Sequence, residues 1–144
     1  MLNHDWIASH IPHQGSMCLL HAVLEWNEQR IVCEATGHGA PEHPLRAQGR
    51  LGAAIGVEYA AQAMAVHGAL LVTGATPVKP GYLTSVRGLT LYVDRLDDLP
   101  GPIRVSAERL SGDARVVLYQ FELEHGGVCL LAGRASVVLD AQAL

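Results

Sequence analysis

One carboxylate, Glu58, stands near the middle of a stretch of small and apolar residues, GAAIGVEYAAQAMAVHG, which runs from Gly52 to Gly68. Aspartate and glutamate are rarely buried unless they are paired, and burial raises the pKa of a carboxyl group into the range that acid catalysis uses. Gln62 follows one helical turn later on the same face, where it can hydrogen-bond Glu58 or a ligand. We therefore predict that Glu58 is a catalytic acid and that Gln62 contacts substrate. The alternative is a structural polar pair inside the core.

The sequence contains eight histidines, which raises the question of a metal site. The densest group, HGAPEH, combines His38 and His43 with the carboxylate of Glu42. Its spacing is neither H-E-x-x-H nor a paired-cysteine zinc pattern, and histidines scattered over loops lack the fixed geometry that zinc needs. The sequence also lacks a glycine-rich phosphate loop after a strand. We expect no metal, no nucleotide and no organic cofactor.

The length and composition indicate an ordinary globular domain. A chain of 144 residues is about the size of one domain, so we predict a single domain over residues 1–144. The net charge of −4 does not favour nucleic acid as a partner. The N-terminus lacks the basic and apolar regions of a secretory signal, and we expect a cytoplasmic protein. Each of the three cysteines lies alone in an apolar, strand-like segment rather than in a C-x-x-C pair. All three are predicted to be reduced and buried: Cys18, Cys33 and Cys129.

The apolar stretch from Gly52 to Leu71 is long enough to cross a membrane, but its polar residues argue against a span. Glu58, Gln62 and His67 interrupt it, and ionised groups at bilayer depth are costly. A helix that is rich in alanine and small on all sides lets neighbouring backbones come close. We therefore predict a helix in the centre of the fold.

Elsewhere apolar and polar residues alternate, a pattern typical of strands, and turn-forming text separates the segments. The predicted strands cover residues 18–26, 30–37, 81–94, 103–110, 115–124 and 129–140. Two strands therefore precede the long helix and four follow it. An antiparallel sheet with one apolar face would be covered by a single central helix. The predicted fold class is α+β, with an antiparallel sheet of about six strands wrapped around one long central helix.

Two segments carry a family resemblance. IPHQGSMCLLHAVLEW, residues 11–26, resembles the opening L-P-H-R-x-P-F-L-L-V-D-R-V of the FabZ-type 3-hydroxyacyl-(acyl carrier protein) dehydratases. The helix text GAAIGVEYAAQ resembles their P-G-V-L-x-x-E-A-x-A-Q, with Glu58, Ala61 and Gln62 in register. VRGLTLYVDRLDDLPGPIRV is more weakly similar to the strand and turn that follow that helix. Among the branches of this family, the sequence is most similar to the ApeP-like branch, which is associated with aryl-polyene clusters.

This resemblance implies a hot-dog fold and dehydration of a 3-hydroxyacyl thioester, borne by acyl carrier protein or coenzyme A, to the 2-enoyl thioester. The reaction needs a base for the proton next to the carbonyl and an acid for the leaving hydroxyl. By resemblance His43 is the base and Glu58 the acid, while free backbone N–H groups at Gly52 and Ala53 stabilise the enolate oxygen. In the family the histidine and glutamate of one site come from different subunits. The resemblance therefore implies a homodimer, or a heterodimer with a related hot-dog subunit.

The histidine segment departs from the family pattern. The family motif is G-H-F-P-G, whereas GHGAPEHPLRAQGRL here places Pro44 in the histidine's position and His43 one residue out of register. An extra loop residue is tolerated at low cost and would return His43 to the site. His13, in the opening pattern, is the second candidate base, and its alternative role is a structural cap on the N-terminal segment.

Two other functions stay open. A hot-dog thioesterase would use a carboxylate to activate water on the same kind of thioester. A non-catalytic hot-dog subunit would instead support an active dehydratase paralogue, which is what the altered histidine segment favours.

Overall fold

The computed structural model describes residues 2–11, 15–71, 82–113 and 115–138. The helices are α1 (His4–His10) and α2 (Gly56–Leu71), and short 3₁₀ turns lie at Gly15–Met17 and Ala53–Ile55. The strands are β1 (Leu2–Asn3), β2 (Ala22–Trp26), β3 (Arg30–Ala35), β4 (Tyr82–Leu91), β5 (Ile103–Gly112), β6 (Val116–His125) and β7 (Val128–Val138).

The seven strands form one antiparallel sheet in the order β1-β2-β3-β5-β6-β7-β4. Each strand that the alternating pattern predicted is present, and the two-residue β1 extends one edge of the sheet. The α+β class, with an antiparallel sheet and one long helix, is confirmed. At the opposite edge lies β4, whose outer side pairs with no strand of the described residues.

The long helix α2 packs on one face of the sheet, chiefly against β3, β5 and β6. Alternate residues of these strands face it and are buried, among them Val105, Phe121 and Leu123. Gly56 shows why α2 is built from small residues, because a Cβ there would lie 2.7 Å from Leu131 Cδ2. The predicted central position of the helix is thus confirmed.

A short N-terminal helix, α1, was not predicted from the sequence. The Asn3 side chain caps it by accepting a hydrogen bond from the Trp6 N–H at 3.0 Å. Ile7 is its buried residue, and the rings of Trp6 and His10 stack at 3.8 Å. One buried position in seven residues gives no readable helical period in the sequence.

Cys18 and Cys33 are buried free thiols, as predicted, whereas Cys129 is only half-buried. Burial raises the pKa of Cys33 to about 12, which keeps that thiol protonated. Within the described ranges, no helix is both long and apolar enough to cross a membrane. The same ranges contain no cluster of three or more potential metal-ligating His, Cys, Asp or Glu side chains.

Candidate active site

The segment between β3 and α2 carries the predicted histidine and leads into the predicted acid. It is tied to the turn that follows β4. The Leu96 N–H donates to Leu51 O at 2.8 Å, and the Leu51 N–H donates to Asp97 Oδ1 at 2.8 Å. The Ala53 N–H donates to Asp94 O at 3.0 Å. These bonds fix the backbone immediately before α2.

Asp97 is the centre of this attachment. Its side chain is almost fully buried, and it accepts hydrogen bonds from Arg95 and, at 2.9 Å, from Arg46 Nη2. The bond from Arg95, aided by the Leu51 N–H, holds the pKa of Asp97 well below its usual range. The segment DRLDD, residues 94–98, contains several charged residues after a strand, and nothing in the sequence indicates which of them is buried. The structural role of Asp97 was therefore not predicted.

His43 is buried and bonded through both ring nitrogens to its own chain. The Leu45 N–H donates to Nδ1 at 3.1 Å, and Nε2 lies 2.9 Å from Tyr59 Oη. Because Nδ1 accepts a hydrogen bond, the proton of the neutral ring is on Nε2, which donates to Tyr59 Oη. Tyr59 follows Glu58 in α2, so the predicted base is attached to the helix that carries the predicted acid.

The electrostatic surroundings of His43 favour its neutral form. Burial lowers the pKa of His43 from its ordinary value, and nearby His38 and Arg46 lower it further. His38 is itself buried, with Nε2 2.9 Å from Leu99 O and with no hydrogen-bond partner for Nδ1 among the described residues. Burial and these two neighbours therefore both favour a neutral His43 ring.

Gln62 is fully buried and bonds to the segment before β2. Its Oε1 accepts from the Leu19 N–H at 2.8 Å, and its Nε2 donates to Met17 O at 2.7 Å. The same Nε2 lies 3.3 Å from Glu58 Oε1. Gln62 is thus in contact with Glu58, one of the two partners that the sequence allowed, while its predicted contact with substrate stays a prediction. The structure also shows that Gln62 holds two backbone groups of its own chain, the structural role that the sequence left as an alternative.

Glu58 lies in the first turn of α2 and is half-buried. Its Oε1 lies 3.3 Å from Gln62 Nε2, a contact that helps to orient the carboxylate. A glutamate carboxyl group is a side chain that can act as a general acid.

One part of the predicted site is wrong. The Ala53 N–H was expected to be free for an enolate oxygen, but it donates to Asp94 O at 3.0 Å. The helix begins at Gly56 rather than at Gly52, because Ala53–Ile55 form a 3₁₀ turn. Gly52 is half-buried and lies just before this turn, and its role in stabilising the enolate oxygen stays a prediction. His13, the second candidate base, lies outside the described residues.

A third buried histidine, His67, lies near the far end of α2. Its Nε2 donates to Asn27 O at 2.8 Å, and its Nδ1 accepts from Tyr119 Oη at 2.7 Å. Burial lowers the pKa of His67, against a smaller opposing effect of its bond to Asn27. In the sequence, His67 is one more polar residue in an apolar stretch. Its contacts were not predicted, because its partners Asn27 and Tyr119 lie 40 and 52 residues away in the sequence.

Family comparison agrees with this architecture. The sequence model of the ApeP-like family, described as ApeP dehydratase, matches residues 6–143. The chain belongs to this family. The match spans both the Glu58–Gln62 pair and the His43 segment of the ApeP-like chain. A search of curated proteins by sequence gave no match.

Solved structures establish the hot-dog fold of the ApeP-like chain. The dehydratase heterocomplex ApeI:P from Xenorhabdus doucetiae is similar with a TM-score of 0.80 at 20% identity, covering 95% of this chain and 92% of the other. A Haemophilus influenzae thioesterase is similar with a TM-score of 0.67 at 10% identity, covering 96% and 90%. Zebra fish thioesterase superfamily member 2 follows with a TM-score of 0.64 at 15% identity, covering 95% of each chain. At these identities the likeness shows the fold alone.

Proposed function

We propose that this ApeP-like chain dehydrates 3-hydroxyacyl thioesters on acyl carrier protein to 2-enoyl thioesters, in fatty-acid synthesis or in synthesis of the polyketide or aryl-polyene type, in the cytoplasm. The observation that carries the proposal is Glu58, a half-buried carboxylate at the start of α2 that Gln62 orients. Glu58 protonates the leaving hydroxyl. The family membership supports this reaction over hydrolysis, since the family is described as a dehydratase.

His43 is the proposed base, and its contacts define what it must do. Nδ1 accepts a hydrogen bond from the Leu45 N–H, and Nε2 carries the ring proton that it donates to Tyr59 Oη. The ring must therefore give up one of these two hydrogen bonds before it can take a proton from substrate. Its lowered pKa keeps the ring neutral, the form in which a base acts.

The same contacts favour a second candidate function. In this second candidate His43, whose ring nitrogens are both bonded within the chain, has the structural role of holding α2 through Tyr59. In that case this chain supplies Glu58, and a related hot-dog subunit supplies the histidine. The heterocomplex of the similar ApeI:P structure supports such a partner.

The experiment that tests the function uses Glu58→Gln, since the amide keeps the size and hydrogen-bonding capacity but cannot deliver a proton. We expect normal folding and a loss of turnover of about 10²-fold or more on 3-hydroxyacyl carrier protein. Glu42→Gln, at an exposed glutamate of the loop before α2, is the matched control and should keep full activity. The assay is run on the chain alone and with its related subunit.

The products distinguish the candidate reactions. Dehydration yields the 2-enoyl thioester with the carrier still attached, whereas a thioesterase yields the free hydroxy acid. Turnover that survives Glu58→Gln would remove Glu58 as the acid. A free acid as the main product would replace dehydration with hydrolysis.

A further inference from the structure

Two arginines lie directly opposite each other on the outer face of the sheet, away from α2. Arg87 of β4 is the register partner of Arg134 of β7, and Arg134 is also opposite Gln120 of β6. Gly133 and Ala135, the neighbours of Arg134, are buried on the α2 side, so Arg134 points outward. Both arginines are exposed.

Like charges placed directly opposite each other on neighbouring strands destabilise a sheet. The ion pairs of the described residues include neither Arg87 nor Arg134. The diagonal carboxylate, Glu122 of β6, interacts with the Cys129 thiol, whose pKa is raised by burial and then by this carboxylate. The two guanidinium groups therefore stand side by side without a protein counter-ion in the described part of the chain.

The surface between these arginines is concave. A groove of about 370 Å³ is lined by both of them together with Thr90 and Gln120, a volume within the range of small-molecule sites. The groove follows a break in the β4–β7 register between Arg87 and Thr90. Gly88 makes that break possible, because its φ of 61° lies in the left-handed region that favours glycine.

We propose that this groove binds a phosphate group, held by Arg87 and Arg134 with Gln120 and Thr90 as neutral hydrogen-bonding neighbours. The guanidinium fork matches phosphate oxygens in a bidentate arrangement. A phosphate dianion neutralises both arginines, whereas a carboxylate neutralises one. The groove is on the face of the sheet opposite α2, so the proposal is independent of the dehydratase function.

Isothermal titration calorimetry of the full chain at low ionic strength tests the proposal, with inorganic phosphate and adenosine 3′,5′-bisphosphate as probes and acetate as the carboxylate comparison. We expect phosphate to bind and acetate not to bind. Arg87→Gln and Arg134→Gln should each weaken phosphate binding by about tenfold or more, the usual scale for a charged hydrogen bond. Tighter binding of the bisphosphate would identify a phosphate ester as the ligand, and equal binding would identify free phosphate.

The matched control is Arg104→Gln, which removes the same charge from the outer face of β5, beside Glu124 and outside the groove. It should leave phosphate binding unchanged. Arg87→Lys and Arg134→Lys keep the charge without the fork and should bind phosphate more weakly than wild type. Without phosphate, both glutamine variants should melt at or above the wild-type temperature, because a repulsion has been removed.

Two results would overturn the proposal. One is wild-type protein that binds phosphate no better than acetate. The other is Arg104→Gln weakening phosphate binding as much as the groove variants do, since binding would then depend on overall surface charge.

Discussion

At the scale of single residues, His43 is defined by the groups that enclose it. It joins the loop before α2 to Tyr59 of the helix through a 2.9 Å hydrogen bond in a buried setting. Burial raises the pKa of Tyr59 above its ordinary value, so both partners of this bond are neutral. A neutral, buried pair of His43 and Tyr59 fits two roles for His43, a structural contact that holds α2 and a general base. Two substitutions distinguish these roles.

We predict that His43→Ala lowers the dehydration rate by about 10²-fold or more, the usual scale for losing a general base. Tyr59→Phe removes the same hydrogen bond but keeps the imidazole, so it should lose stability while retaining most turnover. His13→Ala should mainly lower stability. The measurement is the turnover of 3-hydroxyacyl carrier protein, alongside thermal unfolding of each variant.

Other patterns have equally definite meanings. Wild-type turnover in His43→Ala together with an inactive but folded His13→Ala would move the base to His13. If both variants resemble the wild type, neither histidine is the base, and a non-catalytic subunit that supports an active paralogue becomes the better interpretation. Equal losses of turnover in Tyr59→Phe and His43→Ala would show that the bond, rather than the base, matters.

His67 makes stability depend on pH. Its folded-state pKa lies below the ordinary value of about 6.5, whereas the unfolded chain titrates near that value. Above pH 6.5 neither state takes up the proton. As the pH falls below about 6.5, the unfolded state binds a proton that the folded state does not, so the free energy of unfolding falls.

We therefore predict that the free energy of unfolding decreases as the pH falls below about 6.5, with His67 contributing at most about 1.4 kcal/mol per pH unit. His67→Gln should be less stable at pH 8, since Tyr119 and Asn27 lose their partner, but should show a shallower pH dependence. His21→Gln, at an exposed histidine, should keep the wild-type slope. Denaturant titrations at several pH values measure it, and an unchanged slope in His67→Gln would contradict the assignment.

At the scale of elements, two glycines of α2 test why this helix is built from residues with small side chains. A Cβ on Gly56 would meet both Leu131 methyl groups, at 2.7 and 2.8 Å, and both residues are buried. A Cβ on Gly68 would meet nothing within 4 Å. The two positions share one helix and differ in the space around them.

We predict that Gly56→Ala destabilises the fold by about 1–3 kcal/mol, because overpacking of the core outweighs the gain in helix propensity. Gly68→Ala should stabilise it by about 0.5–1 kcal/mol through that gain alone. Chemical denaturation of both variants measures the difference. Stabilisation by Gly56→Ala would show that α2 can move away from β7 without loss.

The sequence predicted those elements whose pattern extends over many residues. The long helix and the strands from β2 to β7 were readable because size and alternation persist through each segment. The helix α1 and the 3₁₀ turn Ala53–Ile55 were not, since each is decided by a few contacts with distant segments. A one-dimensional pattern carries no signal for such contacts.

The same limit applies to the site. The pairing of Glu58 with Gln62 was predictable because residues four apart share a helix face. The attachment of the His43 loop to Asp97 spans about 50 residues of sequence, and burial rather than residue type distinguishes Asp97 from its charged neighbours. The bond between the Ala53 N–H and Asp94 was missed for the same reason.

At the scale of the whole molecule, the sheet ends on one side in a long strand with an open edge. β4 has ten residues and pairs only with β7 among the described strands. Leu89 and Leu91 of this strand, and Tyr92 just after it, are exposed. An exposed, apolar edge strand is a surface that proteins cover by pairing with another chain.

We predict that the chain forms a dimer through β4, with itself or with a related hot-dog subunit, because such pairing covers these side chains and satisfies the edge backbone groups. Leu89→Lys and Leu91→Lys together should shift the species towards monomer, measured by light scattering at micromolar concentration. Leu110→Lys, an equally exposed leucine on β5, should leave the dimer intact. If the histidine of the site belongs to a partner, the β4 double variant loses turnover in proportion to the dimer it loses, whereas a monomer that keeps full activity would place the whole site in one chain.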